Sequence, residues 1–258
     1  MTRRRLLAGN WKMNKSIAEL PAFFEAFAKE AGLLSGNANA TRIDLMFAVP
    51  YTMLARTAEL AKPWGIKIAA QNVHFEASGA FTGEVSISML KELGVDWTLV
   101  GHSERRQYFG ETDDSVAKKI SACLSGGVTP VACIGETRIE RETGVTNQVI
   151  ARQLDAILSA ASANASRLVI AYEPVWAIGT GLSATSGQAQ EVHKFIRARI
   201  AEKSGIPAAD KIRILYGGSA TPANIEELLK QPDIDGGLVG GASLKSADFA
   251  KMVQAASV

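Results

Sequence analysis

Short apolar runs alternate with amphipathic segments from one end of the chain to the other. Most of these runs are apolar on successive residues rather than on alternate ones, which is the pattern of strands that are buried on both faces. Eight runs predict strands at residues 5–11, 43–49, 66–71, 97–101, 128–134, 168–172, 212–216 and 237–240. Such strands are typical of a parallel sheet with helices packed on its faces.

Helical periodicity marks the segments that lie between and after the predicted strands. The apolar stripes run from Ile17 to Leu34, from Val116 to Leu124, from Ile150 to Ile157, from Val192 to Ile200 and from Leu244 to Val253, with a shorter segment at 86–93. Residues that cap helices open four segments: Ser16 with Glu19, Thr112 before two acids, Thr185 with Gln188, and Thr221 before Pro222 at the first helical position.

Eight strand–helix alternations follow one another without a linker or a change of composition. They predict one α/β domain over residues 1–258, a (β/α)8 TIM barrel with eight parallel strands. An open doubly wound sheet is the alternative that this pattern also allows. In a barrel, the chemistry collects at the carboxyl ends of the strands, so the candidate residues are sought at those junctions.

Composition and charge narrow the class of protein. The chain has 258 residues, of which 47% are hydrophobic and 21% charged, as is typical of a globular protein with a large core. Its net charge is only +2, with both signs mixed along the chain, so the sequence offers no basic surface for nucleic acid. The basic start at Arg3–Arg5 is followed at once by polar residues, and no apolar segment approaches the length of a membrane span. Cys123 and Cys133 lie in apolar patterns, which favours buried thiols in a reducing compartment. We therefore expect a cytoplasmic protein without nucleic-acid or membrane partners.

Glu173 stands directly after the sixth predicted strand. Pro174 follows it, and a loop of small residues, 177–181, comes next. An acid at a strand end before a glycine-bearing flap is the arrangement that places a base and then closes over it. Taken alone, Glu173 is equally well explained as a surface acid in a loop.

Other strand ends offer complementary groups. Lys12 is expected to place a fixed positive charge at the mouth of the barrel. His102 begins a helix-like turn, and because the backbone amides of such a turn disfavour imidazolium, we expect His102 to be a neutral hydrogen-bond donor. Each alone also fits a plain role, as a solvated lysine or a structural histidine. The glycine pairs 217–218 and 240–241, with Ser219, predict a phosphate cradle. No cluster has metal-ligand spacing, and no nucleotide fingerprint is present. Cofactor-free proton abstraction beside a carbonyl, on a small phosphorylated substrate, fits this set.

Eight blocks of sequence, in order over nearly the whole chain, resemble the triosephosphate isomerase family. They are AGNWKMN (8–14), AAQN (69–72), GAFTGE (79–84), VGHSERR (100–106), CIGET (133–137), AYEPVWAIGTG (171–181), YGGS (216–219) and VGGASL (239–244). The resemblance implies an intramolecular aldose–ketose isomerase of glycolysis and gluconeogenesis. Such an enzyme interconverts dihydroxyacetone phosphate and D-glyceraldehyde 3-phosphate through an enediolate, without a cofactor or metal, as a homodimer.

The resemblance also implies roles for the matching residues. Glu173 matches the catalytic base and His102 the neutral electrophile, while Lys12 and Asn10 match the residues that polarise the substrate. The remaining matches are supports for Lys12 and Glu173 (Glu104 and Ser103), phosphate contacts (Gly179, Ser219, Gly240 and Gly241), lid contacts (Glu136 with Trp176 when open, Tyr216 and Ser219 when closed) and a dimer contact (Thr82, which reaches the Asn10–Lys12 region of the partner).

Two positions depart from the family pattern, at the trailing hinge of the expected lid. Leu182 stands where the family often has lysine or threonine, and Ser186 where proline is frequent. We expect them to affect lid kinetics and not the reaction type. Two other functions stay open: another phosphosugar-binding barrel enzyme such as an epimerase, and a non-catalytic barrel that binds sugar phosphates.

Overall fold

The computed structural model describes residues 3–33, 42–178 and 184–257. Within these ranges eight parallel strands form a closed barrel in chain order. They are β1 (Leu6–Asn10), β2 (Asp44–Val49), β3 (Lys67–Ala70), β4 (Trp97–Val100), β5 (Thr129–Ile134), β6 (Val169–Tyr172), β7 (Arg213–Tyr216) and β8 (Gly236–Val239). β8 pairs with β1, with Leu6 beside Gly236 and Gly9 beside Val239, so the sheet closes on itself. The barrel prediction is confirmed, and the open sheet is wrong.

Helices surround the barrel. In the described ranges they are α1 (Leu20–Glu30), α2 (Leu54–Ala61), α3 (Ile87–Glu92), α4 (Ser103–Tyr108), α5 (Asp113–Ser125), α6 (Arg138–Glu142), α7 (Thr146–Ala161), α8 (Ser186–Ser204), α9 (Ile206–Lys211), α10 (Ile225–Leu229) and α11 (Ser246–Ala256). The predicted capping boxes at Ser16 and Thr185 are present. The predicted helix start at Thr221 is wrong. A turn closed by the Asn224 side chain, which accepts from the Thr221 N–H, comes first, and α10 begins at Ile225.

Both faces of the strands are buried. One layer fills the barrel interior, and the other packs between strands and helices. Along β6, for example, Val169 and Ala171 point inward while Ile170 and Tyr172 pack against the helices. This double burial explains why the strands read as continuous apolar runs. Both cysteines are buried and free.

An aromatic cluster joins the two ends of the chain beside the loop that follows β1. Trp11 packs edge-on against Phe23 of α1 with ring centroids 5.0 Å apart, and Phe47 of β2 contacts Phe249 of α11 at 5.1 Å. The indole Nε1 of Trp11 also donates to the Ser243 carbonyl at 3.2 Å. The cluster therefore fixes the backbone on either side of residues 10–12 by burial and by a hydrogen bond.

No helix in the described part of the chain has the length and apolar character needed to cross a membrane.

Candidate active site

The carboxyl ends of the strands surround a cavity of about 420 Å³. Side chains that are distant in sequence meet there: Asn10, Lys12, His102 and Glu173 line one side. The loops after β7 and β8, at 217–221 and 240–242, line the other. Closure of the barrel is what brings these strand ends together.

Glu173 is the first residue after β6 and is only 2% exposed. Its Oε1 lies 2.9 Å from His102 Nε2, and its Oε2 accepts the Ser103 backbone N–H at 2.8 Å. Burial acts to raise the pKa of Glu173, but the hydrogen bonds from His102 and Ser103 and the nearby charge of Lys12 hold that pKa below its ordinary value. The carboxylate is therefore ionised although it is shielded from water, which suits a base.

His102 caps the N-terminus of α4 and is almost fully buried. Burial acts to lower its pKa, but the neighbouring Glu173 and Glu104 carboxylates raise the pKa above its ordinary value. The Glu104 backbone N–H, however, donates to Nδ1 at 3.3 Å, and a ring nitrogen that accepts a hydrogen bond carries no proton. This contact leaves Nδ1 unprotonated, so the ring is in its neutral form with its proton on Nε2, directed at Glu173.

Lys12 is held in a left-handed backbone conformation, with φ of 51°. This conformation is uncommon for a residue other than glycine and costs on the order of 1–3 kcal/mol. The Asn10 side-chain oxygen accepts the Lys12 N–H at 3.0 Å, and Gln71 donates to the Lys12 carbonyl at 2.8 Å. The ammonium group forms an ion pair of 2.6 Å with Glu104. The strain is thus balanced by contacts that direct the Lys12 side chain into the cavity.

Backbone rather than charge forms the far wall of the cavity. Gly240, Gly241 and Ser219 line it, and a short 3-10 turn, Gly241–Leu244, follows β8. At Gly217 a Cβ would lie 2.9 Å from Glu173 Cγ, so glycine allows this loop to approach the carboxylate side chain. Amides and small residues at such a place are suited to an anion such as phosphate.

The segment after Glu173 is tied to the loop after β5. Glu136 is fully buried, and its Oε1 accepts from Trp176 Nε1 at 2.9 Å and from the Tyr172 hydroxyl at 3.1 Å. Burial raises the pKa of Glu136, against the effect of these hydrogen bonds. Tyr216 ends β7, and its hydroxyl lies against Gly218. Gly179 and Leu182 lie outside the described residues.

A sequence model of the family described as Triosephosphate isomerase matches residues 5–256. The chain belongs to the triosephosphate isomerase family. The triosephosphate isomerase of Paracidovorax citrulli is 51% identical over 257 residues and covers 100% of both chains. That of Delftia acidovorans is 50% identical over 254 residues, and that of Acetivibrio thermocellus 49% over 255 residues, each match covering 98% of this chain and 99% of the relative.

The structure places Thr82 away from the cavity of this triosephosphate isomerase family member. Among the described residues, it lies at the tip of an exposed loop, 76–84, with Phe81 42% exposed. Ser103, Glu104 and Tyr216 contact residues that line the cavity, whereas Glu136 and Trp176 contact each other. The remaining predicted site residues in the described ranges line the cavity. In those ranges no group of three His, Cys, Asp or Glu side chains could hold a metal ion.

Two further residues support the site of this family member and were not predicted. Gln71 Nε2 donates to the Asn10 Oδ1 at 3.3 Å as well as to the Lys12 carbonyl. Glu111 is buried and accepts the Gly101 N–H at 3.0 Å, next to His102. Lys119, which pairs with Glu111, interrupts the apolar stripe of α5, and a charged residue on a buried stripe is the signal that would have indicated this pair.

Proposed function

We propose that the protein interconverts dihydroxyacetone phosphate and D-glyceraldehyde 3-phosphate, in glycolysis and gluconeogenesis, without a cofactor. One observation supports this above the others: an ionised, buried Glu173, a neutral His102 and the Lys12 ammonium border the same cavity. Membership of the triosephosphate isomerase family supports the same reaction.

Glu173 acts as the base. Its carboxylate removes a proton from the carbon next to the carbonyl group and returns it to the neighbouring carbon, so one group serves both half-reactions. General base catalysis of this kind contributes about 10²–10⁴-fold to a rate. The backbone N–H of Ser103 fixes one carboxylate oxygen.

The negative charge that develops on the substrate oxygen is stabilised by three groups that line the cavity with Glu173. His102 donates through Nε2–H, Lys12 supplies a positive charge, and the Asn10 amide donates, since its oxygen is already engaged by Lys12 and Gln71. Donors that are fixed before the reaction stabilise an enediolate without reorganising. Ser103 and Glu104 act as supports for Glu173 and Lys12.

The phosphate group is held by uncharged donors. Ser219, Gly240 and Gly241 line the cavity wall, and Gly179 is the fourth matching residue. The segment that carries Trp176 acts as a lid, held open by Glu136 and closed by Tyr216 and Ser219. Excluding water protects the enediolate from losing its phosphate.

The decisive experiment is an initial-rate assay with D-glyceraldehyde 3-phosphate, in which reduction of the ketone product is coupled to the reaction, with and without EDTA. We expect a fast rate that EDTA leaves unchanged. An activity that EDTA abolishes would favour a metal-dependent epimerase instead. No activity from a folded sample would favour a barrel that only binds sugar phosphates.

We also propose a homodimer in the cytoplasm, with the 258 residues acting as one domain. Met13 is 94% exposed, and loop 76–84 presents Phe81, so apolar side chains face solvent beside the site. Thr82 would reach the Asn10–Lys12 region of a partner. The two buried free thiols support a reducing compartment. Light scattering of the wild type and of Phe81→Asp tests the dimer; a monomeric wild type would contradict it.

A further inference from the structure

Gln153 is a buried polar residue on a helix whose inner face is mostly apolar. It lies on α7, where Val149, Ile150 and Leu154 form the buried stripe, and it is only 5% exposed. Burying an amide without partners is unfavourable, so its side chain must be hydrogen-bonded.

Both ends of the Gln153 amide bind one residue. Its Oε1 accepts the Gly135 N–H at 2.8 Å, and its Nε2 donates to the Gly135 carbonyl at 3.2 Å. Gly135 follows the last residue of β5, where the strand ladder ends and its two backbone groups need other partners. The side chain of Gln153 therefore makes the two hydrogen bonds to Gly135 that a neighbouring strand would otherwise make.

Gly135 lies directly against the backbone of Glu173. A Cβ at Gly135 would overlap the Glu173 carbonyl oxygen, so only glycine fits this approach. The residues that flank Gly135 bind the same segment: Glu173 N–H donates to the Ile134 carbonyl at 2.7 Å, and Val175 N–H donates to the Glu136 carbonyl at 3.1 Å. The backbone of residues 134–136 thus contacts the backbone of residues 173–175 and holds it by hydrogen bonds.

We propose that Gln153 is a positioning residue for Glu173 and acts through Gly135. The inference rests on the proposed function, in which Glu173 is the base. Glu173 is the first residue after β6, and its backbone N–H is held by the carbonyl of Ile134, the residue that precedes Gly135. A displacement of about 1 Å in a reacting group can reduce a rate about 100-fold.

The test is the variant Gln153→Met, which keeps the length of the side chain and removes both hydrogen bonds. We expect kcat to fall about 10- to 100-fold while KM changes less than about threefold, since the phosphate wall on the other side of the cavity is untouched. The matched control is Gln148→Met, the same substitution at an exposed position of the same helix, which we expect to leave both constants unchanged.

A cycle with Glu173→Asp separates positioning from a general loss of structure. If Gln153 acts through Glu173, the Gln153→Met effect on kcat shrinks in the Glu173→Asp background, because the base is already displaced. Equal effects in both backgrounds would overturn the proposal. If Gln153→Met does not fold, Gln153→Glu keeps the acceptor for the Gly135 N–H and loses the donor. An unchanged kcat in Gln153→Glu would overturn the proposal too.

The proposed function fails separately from this inference. A wild type without isomerase activity, or a Glu173→Gln variant with the wild-type kcat, would contradict the role of Glu173 as the base. A normal kcat in Gln153→Met, with Glu173→Asp impaired, would contradict only the role of Gln153.

Discussion

The two mouths of the barrel both carry buried or half-buried charges, but they hold them differently. At the mouth formed by the amino ends of the strands, Arg197 donates to the carboxylates of Asp233 and Asp235 and to three backbone carbonyls. Asp235 also accepts from Arg3 and from the Ile214 N–H. Asp44 joins Arg4 and Arg213. Every one of these charges is engaged by a fixed partner within the protein.

At the mouth formed by the carboxyl ends of the strands, the charged side chains border an open cavity. Glu173, His102 and Lys12 border the cavity, and the Lys12 backbone is held in a left-handed conformation. Glu104, the partner of Lys12, has a side chain that is 39% exposed, whereas Asp235 at the other mouth is 5% exposed. The same types of residue therefore stabilise the fold at one end and are available to a ligand at the other.

The largest effect is expected at the cavity mouth, from Glu173→Gln. The substitution keeps the shape of the side chain and removes the proposed base, so kcat is expected to fall by about 10²–10⁴-fold with the fold retained. The coupled assay measures the rate, and circular dichroism checks the fold. A rate close to the wild-type value would remove Glu173 from the role of base.

Arg197→Met, at the other mouth, is expected to lower the stability of the fold and to leave catalysis unchanged. It removes the arginine that pairs with Asp233 and one of the two arginines that pair with Asp235, and breaking a buried ion pair typically costs about 3–5 kcal/mol. Urea unfolding measures the loss, and kcat of the folded fraction should stay close to that of the wild type. A fall of kcat comparable to that of Glu173→Gln would mean that the two mouths are not functionally separate.

Gln71→Met tests whether the strained loop at Lys12 needs its anchor. Removing the amide leaves the Lys12 carbonyl without its donor, and a lost buried hydrogen bond costs about 1–3 kcal/mol. We expect kcat/KM to fall about tenfold, since about 1.4 kcal/mol corresponds to that factor. Initial rates over a range of substrate concentrations measure it. An unchanged kcat/KM would show that Asn10 alone holds the loop.

The smallest effect is expected from Asp155→Asn, on the outer surface. The hydrogen bond from Arg199 lowers the pKa of Asp155 below its ordinary value of 3.8. A lowered carboxyl pKa contributes stability above that ordinary value, and the contribution is lost as the pH falls through the lowered pKa. Solvent screens this pair, so we expect a loss below about 1 kcal/mol at pH 7 that disappears in acid. A loss as large as that of Arg197→Met would contradict the distinction between buried and surface charges.

The fold was predictable because the strands are buried on both faces, so their apolar runs stand out. Each predicted strand lies within one residue of the observed one at both ends. Short helices were harder to predict. α4 buries one residue, Ser103, and α6 buries none, so neither carries an apolar stripe. Thr221 was read as a helix cap, but the side chain of Asn224 closes a turn there and the helix starts only at Ile225.

In the candidate site, residues at strand ends were predictable from their position, and those acting from a distance were not. Glu173 and His102 follow strands directly. Gln71 is an ordinary polar residue at a strand end, and its three hydrogen bonds exist only because β1, β2 and β3 lie side by side. Gln153 reaches Gly135 across 18 residues, from a helix to a strand end. Such contacts depend on how strands and helices pack against one another, and the hydrophobic periodicity of a single segment does not predict that packing.

The pairing of β1 with β8 has a consequence for synthesis on the ribosome. β1 ends at Asn10 and β8 at Val239, so the first strand is made long before its last neighbour. At about 5–20 residues per second, the interval is on the order of 10–50 s. Throughout it, the outer edge of β1 has no strand to pair with, and a free apolar edge invites contact with other chains. A nascent chain is therefore most exposed to aggregation, and most in need of chaperones, just before its final strand emerges.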